Sequence, residues 1–351
     1  MGRGEDTLNE ILAQPRAWDR VLKDFEEQKE DIKSLFDKGN FEKIVFTGCG
    51  SSHYLALSAA AIFQQFTDIE AIGVPASEVF LFPKALFSKQ RKYLLVPISR
   101  SGETSETVKA ANFFLETFKG DILPVSCYEE SSLAKLSNRS LISFDGKEKS
   151  VVMTKSFTSM LLATQLCAAT VSGDQDFYQQ LRLLPSRGEK VVEKYKTSLE
   201  EIAQNANLNE FIYLGSGSYY GLACESMLKI KEMAYVSSEA YHFLEFRHGP
   251  ISIIGEDSLV VCFLSNSGID YQKKLLGELR SLGARTLIIA EQREEDIAKN
   301  ADYLVTLDSN LSDYARLLLY MPFVHLLAYY KAIAKEVNPD SPKNLSQVVK
   351  L

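Results

Sequence analysis

Short apolar runs alternate with longer stretches of helical periodicity along most of this 351-residue chain. Residues 1–40 are polar and helical in character. Thr7 is placed to cap a first short helix, Pro15 interrupts, and Val21, Leu22, Phe25, Ile32 and Phe36 recur at helical spacing. Strands and helices then take turns. The pattern predicts a strand at 44–47, a tight GCGSS turn at 48–52, and an alanine-rich helix to about Phe66. It continues with a strand at 71–74, a helix at 77–81, a strand at 94–98, and a helix through Phe114 and Phe118. A strand at 122–126, a short helix at 132–138 and a strand at 141–144 complete the series. Such alternation implies a parallel sheet covered on both faces.

The second half repeats the first. Residues 212–219, IYLGSGSY, align with 45–52, VFTGCGSS, at an offset of 167, and 261–268, VCFLSNSG, align with 95–102, LVPISRSG, at an offset of 166. Further on, 286–290 answers 122–126 and 303–307 answers 141–144. The chain is read as two copies of one α/β domain, joined by a charged, helical stretch at 173–208. A long apolar helix at 151–171 has its mate at 313–335. Helices apolar on most faces are buried by a sister domain or a second subunit, so dimerisation is expected.

The loop after the strand at 94–98 reads SRSGET. A strand that empties into small hydroxyl residues and a glycine at the head of a helix suits an anion, because first-turn amides lack intrahelical partners and the dipole is positive there. An ordinary Ser or Thr N-cap is the plainer alternative for this loop taken alone. The second copy reads SNSGID, without the arginine and with Ile269 in place of Thr104. The first copy is therefore expected to bind the anion and the second to serve as its structural partner.

Composition narrows the setting. Hydrophobic content of 46% with 24% charged residues predicts a globular protein with a substantial core. No apolar run is read as long enough for a membrane span and the N-terminus has no signal core, so a cytoplasmic protein is expected. A net charge of -7 argues against a nucleic-acid surface. Cys49, Cys127, Cys167, Cys224 and Cys262 form no CxxC pair, which speaks against disulfides or a zinc site, and no metal or cofactor is expected. Cys49 is read as a small buried residue rather than a nucleophile.

The GCGSS turn, the SRSGET loop, the TKSFT segment at 154–158 and KIKEMAYVSSEAYHFLEFRHGP at 229–250 resemble the sugar isomerase (SIS) domain family. The tandem arrangement is similar to the isomerase half of glucosamine-6-phosphate synthases and their shorter relatives. The resemblance implies two tandem SIS domains, each a parallel Rossmann-like (flavodoxin-like) sheet with helices on both faces. The boundaries expected are a helical segment at 1–40, a phosphate-binding domain at 41–175, a helical linker at 176–210, a second domain at 211–337, and a tail over the active site at 338–351.

By the matching motifs, a phosphorylated sugar would be held by Ser51, Ser52, Ser99, Arg100, Ser101, Thr104, Val151, Lys229, Ser346 and Gln347. Arg100 stands where the synthases commonly have glutamine, and the added charge is expected to strengthen phosphate binding. Glu232 matches the glutamate that moves a proton between C1 and C2, in a short helical segment with Lys229 or Lys231 as partner. His248 matches the histidine that opens the sugar ring, contributed across a homodimer interface, with Gly249 and Pro250 fixing its turn. His53, His242 and His325 are read as packing or surface residues.

Two departures shape the expected chemistry. No glutaminase domain or N-terminal cysteine is seen, and Gln347 stands where the family has its Schiff-base lysine; a glutamine forms no imine with a ketose. The implied function is therefore a sugar-phosphate isomerase or aminosugar-phosphate deaminase without glutaminase activity. A fructosamine-6-phosphate deglycase and a non-catalytic sugar-phosphate sensor are the alternatives.

Overall fold

The structure, a computed structural model, describes residues 2–88 and 90–350, so the outermost residues of the expected N-terminal segment and tail lie outside it. Two compact units emerge: residues 13–185 with 343–351, and residues 186–342 with 1–12.

Helix α1 (Glu5–Leu12) belongs to the second unit and α2 (Gln14–Gly39) opens the first. Pro15 starts α2, where its missing N–H costs nothing. Thr7, expected as a cap, lies inside α1; its N and Oγ1 both donate to Asp340 Oδ1, at 2.8 and 2.7 Å. In α2, Trp18 is fully buried and its Nε1 donates to Thr158 Oγ1 at 3.0 Å.

The first unit continues through β1 (Lys43–Gly48), α3 (Ser51–Thr67), β2 (Glu70–Pro75), α4 (Ala76–Leu81), α5 (Pro83–Leu86), β3 (Tyr93–Pro97) and α6 (Ser105–Phe118). Then come β4 (Asp121–Ile122), β5 (Val125–Ser126), β6 (Leu141–Ile142), α7 (Lys155–Ser172) and α8 (Gln175–Arg182). All pairings are parallel, in the order β2-β1-β3-β4, with a β5-β6 pair joined on by an Ile98–Val125 bridge. The strand expected at 122–126 is split because Pro124 has no N–H to give a ladder. The helix expected at 132–138 is only a 3₁₀ turn, Ala134–Leu136, and the strand expected at 141–144 stops at Ile142.

The second unit holds most of α9 (Leu184–Gln204), then β7 (Glu210–Leu214), α10 (Ser218–Ala234), β8 (Ser237–Tyr241), β9 (Ser258–Phe263), α11 (Ile269–Ser281), β10 (Arg285–Ala290), α12 (Glu295–Ala298), β11 (Tyr303–Thr306) and α13 (Met321–Ala334). Its parallel sheet runs β11-β10-β9-β7-β8. Strand for strand this is the order of the first unit, the doubly wound 2-1-3-4-5 arrangement with a switch point between the first and third strands. Strand β8 was not expected: SSEAY has no apolar run, and it lies at a sheet edge.

Central strands such as YLLVP and SLVVCF are buried on both faces, as parallel sheets require. Helix α7 is buried on nearly every side. Against expectation, the stretch Arg316–Ala334 is 19 residues long with mean hydropathy 1.4, enough by length and composition to cross a membrane. Of its 18-residue apolar window 83% is buried, as in a core helix.

Candidate functional site

In the first unit the chain leaving β3 makes a compact loop before α6. Ser99 N donates to Val125 O at 3.0 Å, and Ser99 Oγ accepts from Gly102 N at 3.1 Å while lying 3.1 Å from Thr104 Oγ1. Ser101 Oγ accepts from Glu103 N at 3.1 Å. Gly102 has φ +66°, and a Cβ there would stand 2.0 Å from Ser131 Oγ, so no side chain fits. Ser51 and Ser52 start α3 after a Gly50 with φ +55° and are buried. The β1 and β3 loops flank the switch point, where sheets of this order take their ligands.

Arg100, expected at the phosphate, has its guanidinium already paired within the protein. Nη1 donates to Glu148 Oε2 at 3.2 Å and to the carbonyls of Ser150 and Val152, while Nη2 donates to Gln347 O at 3.4 Å. The Glu148 carboxylate also accepts from Thr154 N, Thr154 Oγ1, Ser156 N and Ser156 Oγ, at 2.7, 2.9, 3.1 and 2.5 Å. It thereby satisfies the head of α7, where the helix dipole favours a negative charge. Glu148 was missed in the sequence because it stands alone, six residues ahead of the TKSFT segment.

The tail packs on this same loop. Gln347 Nε2 donates to the carbonyls of Lys149 and Ser150 at 2.8 and 3.2 Å, just ahead of the half-buried Val151. Ser105 N, the first amide of α6, donates to Val349 O at 3.3 Å. Ser346 is exposed and its Oγ donates to Val348 O at 3.0 Å. A cavity of about 350 Å³ lies here, lined by Arg100, Ser101, Tyr128, Ser131, Glu148 and Gln347 among others.

In the second unit α10 is one continuous helix, not a helix followed by a short segment, and it places Glu225, Lys229 and Glu232 on one side. Lys229, only 1% exposed, has its amine 3.4 Å from Glu225 Oε1 and donates to Glu232 Oε2. Its buried charge is thus paired with two carboxylates. Glu225 was not singled out in the sequence, although its i,i+4 spacing to Lys229 was visible. The Glu232 side chain keeps 18% exposure.

His248 is exposed after the 3₁₀ turn Glu245–Arg247; its N donates to Glu245 O at 2.9 Å, and Gly249 follows at φ +111°. His242 is exposed and stacks on Tyr220 with ring centroids 3.8 Å apart. His53 is half-buried, and burial lowers its pKa. His325 on α13 is fully buried, and neither nitrogen has a hydrogen-bond partner among the described residues; burial, and then the Lys229 charge, push its pKa well below the imidazole range. Burial also raises the Cys49 thiol and takes Cys224 to about 11, so neither is a ready nucleophile. Among the described residues no group of three or more His, Cys, Asp and Glu is placed to hold a metal ion.

The second copy's loop differs in a telling way. Asn266 N and Ser267 N donate to the two oxygens of Asp313, at 2.8 and 3.1 Å, and Arg316 pairs with the same carboxylate. The amides that would greet an anion already hold one from the chain itself.

Two doubly wound parallel sheets of one strand order, each with a glycine-bearing loop at its switch point, define a tandem α/β protein of the class that binds ligands at the carboxyl ends of its strands. The chain belongs to the SIS domain family, whose signature matches residues 40–170 and 206–330. It is 29% identical over 347 residues to the glutamine–fructose-6-phosphate aminotransferase (isomerizing) of Methanothermobacter thermautotrophicus, covering 97% of this chain and 57% of that protein. The chain thus spans little more than half the length of that curated relative. Among solved structures it resembles the tagatose-6-phosphate ketose/aldose isomerase of Escherichia coli, with TM-score 0.87, 25% identity and coverage of 96% of this chain and 95% of that one. It also resembles the glucosamine-6-phosphate deaminase of Thermotoga maritima, with TM-score 0.76, 28% identity and coverage of 95% and 100%.

Proposed function

We propose that this chain is an enzyme acting on a phosphorylated sugar or aminosugar, by ring opening and C1/C2 proton transfer. The observation that carries the reading is the Lys229–Glu232 pair. The buried Lys229 ammonium holds Glu232 in place while the Glu232 side chain keeps 18% exposure, and a positioned, reachable carboxylate is what a general base needs. Ser52, Ser99, Ser101 and Thr104, with Ser51 beside them, hold the phosphoryl group; Arg100 orders that loop from behind. His248, exposed on its turn, exchanges the proton of the ring oxygen for a neighbouring subunit of a homodimer.

The nitrogen-bearing substrates are favoured over a full synthase reaction. Gln347 spends its amide on two backbone carbonyls and supplies no amine for an imine. A substrate that already carries nitrogen at C1 or C2 needs none, which supports the deaminase and deglycase reactions beside plain isomerisation. The similarity to both a ketose/aldose isomerase and a deaminase fits this range.

The test is a panel of hexose 6-phosphates, aminosugar 6-phosphates and fructosamine 6-phosphates, assayed for product and released ammonia with wild type and Glu232→Gln. Turnover of at least one substrate, reduced about 10²–10⁴-fold in the variant, is expected. Full activity in Glu232→Gln removes that residue from the mechanism. Tight binding without turnover across the panel replaces the enzyme with a sensor.

A further inference from the structure

Beside the self-filled loop of the second unit, at the C-terminal ends of β9 and β10, lies a cavity of about 290 Å³. Ser265, Asn266, Ile269, Glu291, Gln292 and Arg316 line it, and neither Glu232 nor His248 does. Its size is at the lower end of small-molecule sites, which begin at about 300 Å³.

Its chemistry is set by Arg316, which is 1% exposed. Nη1 donates to Leu311 O at 3.0 Å, and Nη2 to Asn266 Oδ1 at 3.0 Å and to Asp313. Of its three nitrogens, Nε has no hydrogen-bond acceptor among the described residues, a costly state for a buried donor. Glu291 Oε2 stands 3.8 Å from it, too far to accept. Glu291 is itself held in place: Ser309 Oγ donates to Oε2 at 2.8 Å and Asn310 N to Oε1 at 2.6 Å.

An atom sitting about 2.9 Å from both Arg316 Nε and Glu291 Oε2 closes a triangle on that 3.8 Å base. It must accept from Nε and donate to the carboxylate. A hydroxyl does both. A phosphate oxygen is repelled by Glu291 and finds the loop amides already taken by Asp313, while an ammonium has no lone pair for Nε.

We propose that this cavity binds an uncharged, hydroxyl-rich molecule of monosaccharide size, one of whose hydroxyls bridges Arg316 Nε and Glu291. The site is separate from the residues of the proposed reaction and does not depend on that reading. Leu264, Ala290 and Ile297 give it an apolar wall against which the C–H face of a sugar ring packs.

Saturation-transfer NMR and calorimetry on the full chain with D-glucose, D-fructose, D-galactose and myo-inositol test this. The same ligands are titrated into Ile269→Trp, which fills the cavity from the first turn of α11, and into Glu291→Ala. At least one neutral ligand is expected to bind wild type saturably, about tenfold or more weaker in both variants. Its binding is expected to be unchanged in Ser99→Ala, and Ile269→Trp to keep its turnover in the phosphosugar panel. No saturable binding by any of the four leaves the cavity to solvent and overturns the proposal, as does binding that survives Ile269→Trp. Because Ser99→Ala bears only on the phosphosugar loop, failure here and failure of the proposed reaction read out separately.

Discussion

Arg100 Nη1 and Glu148 Oε2 form a buried ion pair at 3.2 Å that ties the loop after β3 to the head of α7. The two ends of this link are unequal. Glu148 gathers Arg100, two amides and two hydroxyls, whereas Arg100 has carbonyls to fall back on. Glu148→Ala is therefore expected to cost about 3–5 kcal/mol of stability, because it strands a buried cation and several donors. Arg100→Ala should cost less, about 1–3 kcal/mol, since four donors still serve the carboxylate. Urea denaturation of the two variants measures the difference; equal losses contradict this account.

In the proposed reaction, Ser99→Ala and Thr104→Ala each remove a hydroxyl from the phosphate loop without touching the proton-transfer residues. Each is expected to raise KM about tenfold or more, with kcat changed far less, since a hydrogen bond to a charged group contributes about 1.5–3 kcal/mol. Steady-state kinetics on the substrate found in the panel decides it. A fall in kcat at constant KM points to another role.

If His248 serves the neighbouring subunit, two inactive variants rescue one another. Mixing His248→Ala with Glu232→Gln and allowing subunits to exchange should restore about a quarter of wild-type activity, because half the dimers are mixed and each carries one intact site. No recovery, with exchange verified by native mass spectrometry, places His248 in its own subunit's site or outside catalysis.

Buried His325 makes stability sensitive to acid. Its folded pKa lies well below the imidazole range through burial first and the Lys229 charge second. The unfolded chain takes up a proton below about pH 6.5 and the folded chain does not. The contribution is thus full above that pH and is lost as pH falls from there toward the folded pKa, at up to about 1.4 kcal/mol per pH unit. Unfolding midpoints from pH 8 to 5 should show this decline, and His325→Gln should flatten it.

Gln347→Lys restores an amine at the tail position the family uses for its imine. Incubation with fructose 6-phosphate and cyanoborohydride is expected to give a covalent adduct by mass spectrometry in the variant and none at that position in wild type. Absence of the adduct in a folded variant means the tail does not present residue 347 to a ketose.

The duplicated sheet was legible because its signals are local: a five- or six-residue apolar strand, a glycine turn, and a helix, recurring at one offset. Strand β8 was not, since SSEAY sits at an edge where burial asks little of its sequence. The roles of charged residues were the least legible. Arg100 was read as a phosphate ligand, with no sign of the pairing to Glu148, forty-eight residues on. Asp313 gave no sign that it would fill the loop at 266–267, because the pairing belongs to the folded sheet and not to any spacing along the chain. Lys229 was one of two foreseen partners of Glu232, and helical spacing made that pair readable.

Neither compact unit is a single length of chain. The first twelve residues belong with 186–342, and the last nine with 13–185. A protease cut or gene split near Pro185 therefore separates each half from a segment it needs: the carboxyl piece loses α1, whose Thr7 anchors on Asp340, and the amino piece loses the Gln347 clamp on Lys149 and Ser150. The duplication visible in the sheets is thus stitched into one inseparable thread, and the two pieces regain their proper partners only when supplied together.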